Sequence, residues 1–425
     1  MNPIKIALFA NDIALATDKA MLRLVNLPGP KLIKILSILL IFIFFLFKKF
    51  NSNFINLSKF SLLLIYLLVY DCLSVMITKT IFSLAASIIK FIIFYLFFLN
   101  AYAETVNKKY ELEEKGILAI MYHRFEENKY PSTNIKIEAF KKHINIIKDS
   151  KFSFLNPKNF DYEFNKVKKE KKILLTIDDA FSSFYLNAWP ILKQNKIPFL
   201  LFVSTETVGK KGYMSWEEII KISKEDFVYI GNHSHSHEYL TKYEFDKFRQ
   251  DIDKSIEIFE KKLNYNPIFF SYPFGEYSLE QKNYISKKFD YAFGQHSGVI
   301  DLNKDKFELP RFPINEKYGD FERFNFLINL LPIQYKNILP DDKLLIDTNN
   351  PPLMTIEFFE EQKNINLINC FSNEGGEWKN SKLKYKENKI EVIFTEKFLP
   401  RRGRINCSMQ DKEGWRWFGS QFTLN

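Results

Sequence analysis

Between residues 117 and 312 the chain alternates short apolar runs with longer stretches of helical spacing. Residues 117–122, 171–177, 198–203, 227–230 and 267–272 are apolar and of strand length, and residues 291–293 and 309–312 supply two shorter segments of the same kind. Residues 135–150 place Phe140, Ile144 and Ile147 at steps of four and three, the period of one helix face; residues 189–194 and 239–263 also read as helices. Unbroken apolar strands separated by amphipathic helices predict a parallel sheet covered on both faces, an α/β fold. The polar residues of interest, His123, the Asp178-Asp179 pair and His233, come just after strands, at the rim where barrel-like α/β folds assemble their sites. Residues 104–116 are polar and read as a short linker. Beyond Pro351-Pro352 the pattern changes to short alternating runs, at 384–394 and 415–423, which predicts a small all-β domain over residues 350–425.

Residues 1–103 follow a different rule. Apolar segments at 35–47, 62–77 and 91–99 are separated by lysines, and Asp71 interrupts the second. Lys79 and Lys90, the run 91–99 and then Ala101-Tyr102-Ala103 have the layout of a secretory signal, spanning about 76–103 if translation starts at Met76. The alternative is a membrane anchor of two or three helices. Both readings export the remainder of the chain, to the periplasm or cell envelope.

Charge changes this picture little. Sixty Lys and Arg against 50 acidic residues leave a net charge of +10, but the basic residues are dispersed among Asn, Ile and Phe, which predicts a solvated surface and no nucleic-acid partner. Basic and aromatic residues do cluster at Arg401-Arg402-Gly403-Arg404 and Trp415-Arg416-Trp417-Phe418, where a β core is expected first and glycan contact second. Cys72 lies in an apolar segment. Cys370 and Cys407 fall in the C-terminal part, and an oxidising compartment would let them pair.

The chemistry concentrates in two segments, ILLTIDDAFSSFY from Ile173 and GNHSHSHEYL from Gly231. Adjacent carboxylates repel unless one is paired, and a divalent cation relieves one of them while the other stays free to take a proton from water. His233 and His237 are four apart, so a helical turn would aim both to one side and His235 elsewhere. Two imidazoles and a carboxylate make a facial metal site with open positions. A His-Glu-x-x-His zinc-peptidase reading fails because Ser234 stands where the glutamate is needed.

These segments resemble the polysaccharide deacetylase family (carbohydrate esterase family 4, the NodB-homology domain). The first family motif, Thr-Phe-Asp-Asp-Gly, is matched by Thr176-Ile177-Asp178-Asp179-Ala180, and the second, His-Ser/Thr-x-x-His, by His233-Ser234-His235-Ser236-His237. The resemblance implies a distorted (β/α) barrel over about 110–330. It also implies hydrolysis of acetyl groups on N- or O-acetylated polysaccharide by attack of a metal-activated water. Asp178 would be the general base. Asp179, His233 and His237 would hold the metal, zinc first, with cobalt, nickel or iron as alternatives.

The third motif departs from the family pattern. Arg-x-Pro-Tyr/Phe-Gly is replaced by Ser271-Tyr272-Pro273-Phe274-Gly275, without its arginine, and Arg311 is the candidate substitute. Tyr272, Pro273 and Phe274 are the expected substrate contacts, with the Tyr272 N–H as an oxyanion donor. Tyr213 and Trp216 are further aromatics that could stack on sugar rings. The family's late general-acid histidine is missing too, because no histidine follows His296. His123 would replace it, as in the circularly permuted, exopolysaccharide-modifying branch, and His296 is the rival. The alternative to an enzyme is an inactive metal- and carbohydrate-binding protein. An uncleaved N-terminal region would add the membrane as a partner.

Overall fold

Six consecutive buried residues, Ile117–Tyr122, form β1, and their alternation separates the two sides of a sheet. Leu118, Ile120 and Tyr122 join the outer core under the helices, whereas Ile117 and Ala119 join an inner cluster. The same parity runs through β2 (Lys172–Ile177) and β3 (Phe199–Val203): Ile173, Leu175, Phe199 and Leu201 face outward, and Leu174, Leu200 and Phe202 inward. β4 (Val228–Asn232), β5 (Phe269–Ser271), β6 (Tyr291–Phe293) and β7 (Phe312–Pro313) complete the set. All pairings are parallel, in the order β7-β1-β2-β3-β4-β5-β6, with Ser153–Phe154 added beside β2. The curved sheet is a half-barrel whose two edges meet in one segment, where Leu309 bridges to Phe293 and Phe312 pairs with Ile120. Gly231 is needed inside it: a Cβ there would lie 2.7 Å from the Phe202 ring.

The computed structural model describes residues 110–424. The segments read as a signal peptide or membrane anchor lie outside the described residues, and among the described residues no helix is long and apolar enough to cross a membrane.

Helices cover the outer face. In α1 (Ile137–Asp149) the buried residues Phe140, Ile144 and Ile147 keep their helical spacing, each contributing about 1.5–3 kcal/mol by burial. α2 (Trp189–Gln194) follows β2, and α3 (Trp216–Ser223) starts at a Ser215/Glu218 capping box. The helix expected over 239–263 begins later, as α4 (Phe245–Leu263), because Tyr243 and Glu244 are extended; it ends on left-handed Asn264.

The described part of the expected linker, residues 110–116, is instead packed structure. Glu111 and Gln334 exchange backbone and side-chain hydrogen bonds, and the buried Glu114 carboxylate accepts from the N–H groups of Gly116 and Lys168.

From Leu331 onward the chain is strands and short turns. One sheet contains β8 (Asn369–Ser372), β9 (Arg402–Asp411) and β10 (Gly414–Leu424), the last two a long hairpin. The second contains Asn337–Leu339, Met354–Glu357 and the hairpin Lys382–Lys386/Lys389–Ile393, so the run at 384–394 is two strands turning at Glu387 (φ 45°). Ile356, Ile390, Ile405 and Phe422 share the core of this part. Cys370 and Cys407 are directly opposed on β8 and β9, with Cα atoms 4.0 Å apart. The β-rich part and the half-barrel belong to one compact unit.

Candidate active site

Inward parity continues past the ends of the strands, and that places the site. Thr176 faces in, so Asp178 does too; Phe269 faces in, and so does Ser271; Leu309 faces in, and so does Arg311. Asp178 and Arg311 are both fully buried and meet in a bidentate pair, Nη1–Oδ1 2.6 Å and Nη2–Oδ2 2.9 Å. Arg311 is fixed further by donating from Nε to the Gly294 carbonyl, from Nη1 to Thr176 Oγ1 and from Nη2 to Ser271 Oγ. Ser271 stands where the third motif has its arginine, and its small hydroxyl accepts from the guanidinium arriving from the other edge of the sheet. Burial pushes the Asp178 carboxyl up, but Arg311, His233 and His123 outweigh it and hold the group below its ordinary range.

Asp179, the next residue, turns the other way with φ 73°. Its Oδ1 lies 3.0 Å from His237 Nε2 and 3.6 Å from His233 Nε2, yet this buried oxygen accepts no well-directed hydrogen bond. Atoms that crowd without bonding one another are the expected disposition of ligands aimed at a shared cation. Asp179, His233 and His237 offer ligand atoms all within 4.8 Å of one another. His233 donates from Nδ1 to the Ser271 carbonyl at 2.7 Å, which leaves the Nε2 lone pair facing Asp179. Burial lowers the His233 pKa to about 4, as a neutral ligand requires. His237 is lowered by burial but raised more by Asp179, for a net rise; Asp179, although raised by burial, is held well below the carboxylate range by His237. The donor set fits a divalent metal.

The two histidines do not converge through a helical turn. Residues 233–237 form a loop in which Ser234 (φ 68°) and His237 (φ 55°) are left-handed. Side chains replace the missing helix bonds: Asn232 Oδ1 accepts from Ser234 N–H, Ser234 Oγ from His237 N–H, and the Asp251 carboxylate from His235 and Ser236. His235 turns aside to Thr205 Oγ1, 2.8 Å away. Among the described residues ten non-glycines have positive φ, and five of them are Asp179, Ala180, Ser234, His237 and Phe274. Left-handed backbone costs roughly 1–3 kcal/mol per residue, so strain is concentrated at this one place. Asp251 escaped the sequence reading, although a carboxylate on the buried face of α4 beside Phe248, Ile252 and Ser255 was a usable signal.

The remaining candidates divide. The β1–β2 register sets Tyr122 beside Ile177, so His123 adjoins Asp178, and both aspartates feel its charge. His296 is half-buried on the β6 side, its carbonyl accepting from Arg311 N–H. Burial lowers its pKa to about 4, and its principal charged neighbours are Glu308, Lys343, Lys304 and Arg311. Tyr272 is a correction. Its N–H is committed to the Phe293 carbonyl in the β5–β6 ladder, and its ring faces outward against Phe270 and Tyr277, so it neither holds an oxyanion nor contacts substrate. Pro273 is buried, whereas Phe274 (φ 58°) is part-exposed and sits 4.9 Å from the His237 ring. Trp216 packs on Phe259 in the helical layer. Tyr213 stacks on Phe181, with burial and then Asp179 raising its pKa.

A family model described as polysaccharide deacetylase matches residues 165–294, the stretch that carries both motifs. Over that stretch the chain is similar to polysaccharide deacetylases. Among curated relatives, the poly-beta-1,6-N-acetyl-D-glucosamine N-deacetylase of Staphylococcus aureus (strain MRSA252) is 24% identical over 238 residues, covering 49% of this chain and 82% of that protein. The protein of the same name from Staphylococcus epidermidis is 24% identical over 246 residues, covering 51% and 85%. Among solved structures, IcaB from Ammonifex degensii aligns with a TM-score of 0.46 at 21% identity over 50% of this chain and 97% of that one. The Streptococcus pyogenes deacetylase PplD in complex with acetate aligns with 0.45 at 21%, over 48% and 95%. Arg311, which holds the first aspartate of the DD pair, lies beyond the matched stretch.

Proposed function

We propose that this protein is an exported, metal-dependent deacetylase that removes N-acetyl groups from a poly-N-acetylglucosamine chain. The observation that carries the proposal is the division of labour in the DD pair: Asp178 is locked to Arg311 and only approaches His233, at 3.8 Å, while Asp179 Oδ1 lies within reach of both His233 and His237. The substrate class follows the curated relatives, which bear the name poly-beta-1,6-N-acetyl-D-glucosamine N-deacetylase.

A divalent cation, zinc by preference for this donor set, would supply Lewis-acid polarisation of the acetyl carbonyl and a water of lowered pKa. Asp178, kept ionised and oriented by Arg311, takes a proton from the attacking water. His123, next to the aspartates on the neighbouring strand, protonates the leaving amine. With the Tyr272 N–H spent and Pro273 lacking one, the donor left to this turn for the oxyanion is the Phe274 N–H. Cys370 and Cys407 form a disulfide in the exported protein. Residues 1–103 serve as its signal peptide or anchor.

The test is acetate release from N-acetylglucosamine oligomers, with and without chelator, alongside the metal content of wild-type and Asp178→Asn protein. The expected result is metal-dependent release, lost in Asp178→Asn with metal retained. Glycan binding without release under any metal would favour an inactive binding protein instead.

A further inference from the structure

The β-rich part reaches the metal site through residues outside the family match. Gln421, on β10, donates from Nε2 to the carbonyls of Phe274 and Gly275 at 3.2 and 3.0 Å, and so holds the turn that presents Phe274 to His237. The Arg401 guanidinium lies over the Tyr239 ring at 3.3 Å and 5.1 Å from the centre of the Phe274 ring. The Tyr239 and Phe274 rings themselves are in tilted contact, their centres 4.5 Å apart. His237, Phe274, Tyr239 and Arg401 thus form a continuous series from the metal ligands to the β-rich part.

Charge is unbalanced along this lip. Arg401 pairs with Glu276 at 2.9 Å and Arg402 with the same oxygen at 3.4 Å. Arg404 donates to Gln421, a neutral group, and burial with Arg402 nearby lowers its pKa to about 10, which still leaves it charged near neutrality. Three guanidinium groups therefore face one carboxylate, and Arg401 and Arg402 remain partly exposed. A neutral N-acetylglucosamine chain has no use for that surplus, and a deacetylated, cationic unit is repelled by it.

We infer that the Arg401 lip, contributed by the β-rich part, is a subsite for an anionic substituent on the glycan, a carboxylate or a phosphate, next to the unit being deacetylated. This inference rests on the deacetylase reading. A guanidinium held over an aromatic face is pre-organised and keeps N–H groups for an oxyanion, which an ammonium in the same place would engage only as a point charge.

The experiment uses the full-length metal-loaded protein and three sets of oligosaccharides of equal length: neutral N-acetylglucosamine oligomers, oligomers alternating N-acetylglucosamine with a uronate, and oligomers bearing phosphate. Acetate release gives kcat and KM at low and high salt for wild type, Arg401→Gln and Arg401→Lys. The expected result is a lower, salt-sensitive KM for one anionic set. Arg401→Gln should raise that KM on the order of tenfold, the loss of one charge-assisted hydrogen bond, with kcat and the neutral KM unchanged; Arg401→Lys should fall between. The set affected identifies the anion. Equal changes for neutral and charged oligomers, or a wild-type preference for the neutral set, overturns the inference. Should no set release acetate, the deacetylase reading fails, and calorimetric binding of the same oligomers to wild type and Arg401→Gln decides the lip by itself: loss of anionic binding supports it, and equal binding overturns it.

Discussion

Arg311 holds Asp178 through two parallel hydrogen bonds although 133 residues separate them in the chain. The pair is sealed from solvent, and the guanidinium is saturated by Gly294, Thr176 and Ser271. An arginine from the closing edge of the sheet therefore pairs with Asp178, and the Ser271 hydroxyl accepts from it.

Breaking this pair should affect both stability and turnover. Arg311→Gln leaves a buried carboxylate without its partner, at a cost of about 3–5 kcal/mol. Arg311→Lys keeps the charge but loses the fork. Both variants should show reduced denaturation midpoints and acetate release lowered by at least tenfold. An Arg311→Lys protein with unchanged kcat would show that orientation of Asp178 is unimportant.

The two candidate acids separate by leaving group. His123→Ala should lower kcat on N-acetyl substrates by roughly 10²–10⁴. It should affect an aryl acetate far less, since a phenolate needs no proton to leave. His296→Ala, whose principal charged neighbours are Glu308, Lys343, Lys304 and Arg311, should not show this dependence. The reverse pattern would assign the acid to His296.

Acid sensitivity should arise in part from a histidine outside the site. His143 is buried in α1, hydrogen-bonded to Tyr122 OH and the Gly319 carbonyl and stacked 3.8 Å from Phe324; burial lowers its pKa to about 4. Above pH 6.5 it is neutral in both folded and unfolded chains and has no effect on the balance. Between pH 6.5 and 4 only the unfolded chain takes up the proton, so stability falls with pH, by up to about 3 kcal/mol. Denaturant midpoints across this window should fall less steeply in His143→Gln than in wild type. Identical slopes would remove His143 as the cause.

The cysteines give a prediction independent of catalysis. A Cys370–Cys407 link closes a loop of sequence separation 37. Loss of that link in a Cys370→Ala/Cys407→Ala double variant should lower stability by about 3–4 kcal/mol in the chain-entropy account. A thiol titration that finds both free in exported protein would dispose of the bridge.

Much of this protein could be read along the chain. Strand length and apolar content marked β1 to β4, and helical spacing marked α1, because burial on both faces of a parallel sheet and on one face of a helix are local periodicities. The two motifs picked out Asp179, His233 and His237, which the fold brings together, because their chemistry is carried by residue type and order. The inward direction of Asp178 also follows from local alternation once the strand is known. Only the tertiary structure could bring Arg311 to Asp178, Asp251 under the HSHSH loop, and Arg401 and Gln421 to the Phe274 turn. Each of those contacts depends on which strands become neighbours, and neighbours distant in sequence are chosen by the packing of the whole core. The same reason explains the error at Tyr272: whether an N–H is free is decided by the partner strand, which the local sequence does not name.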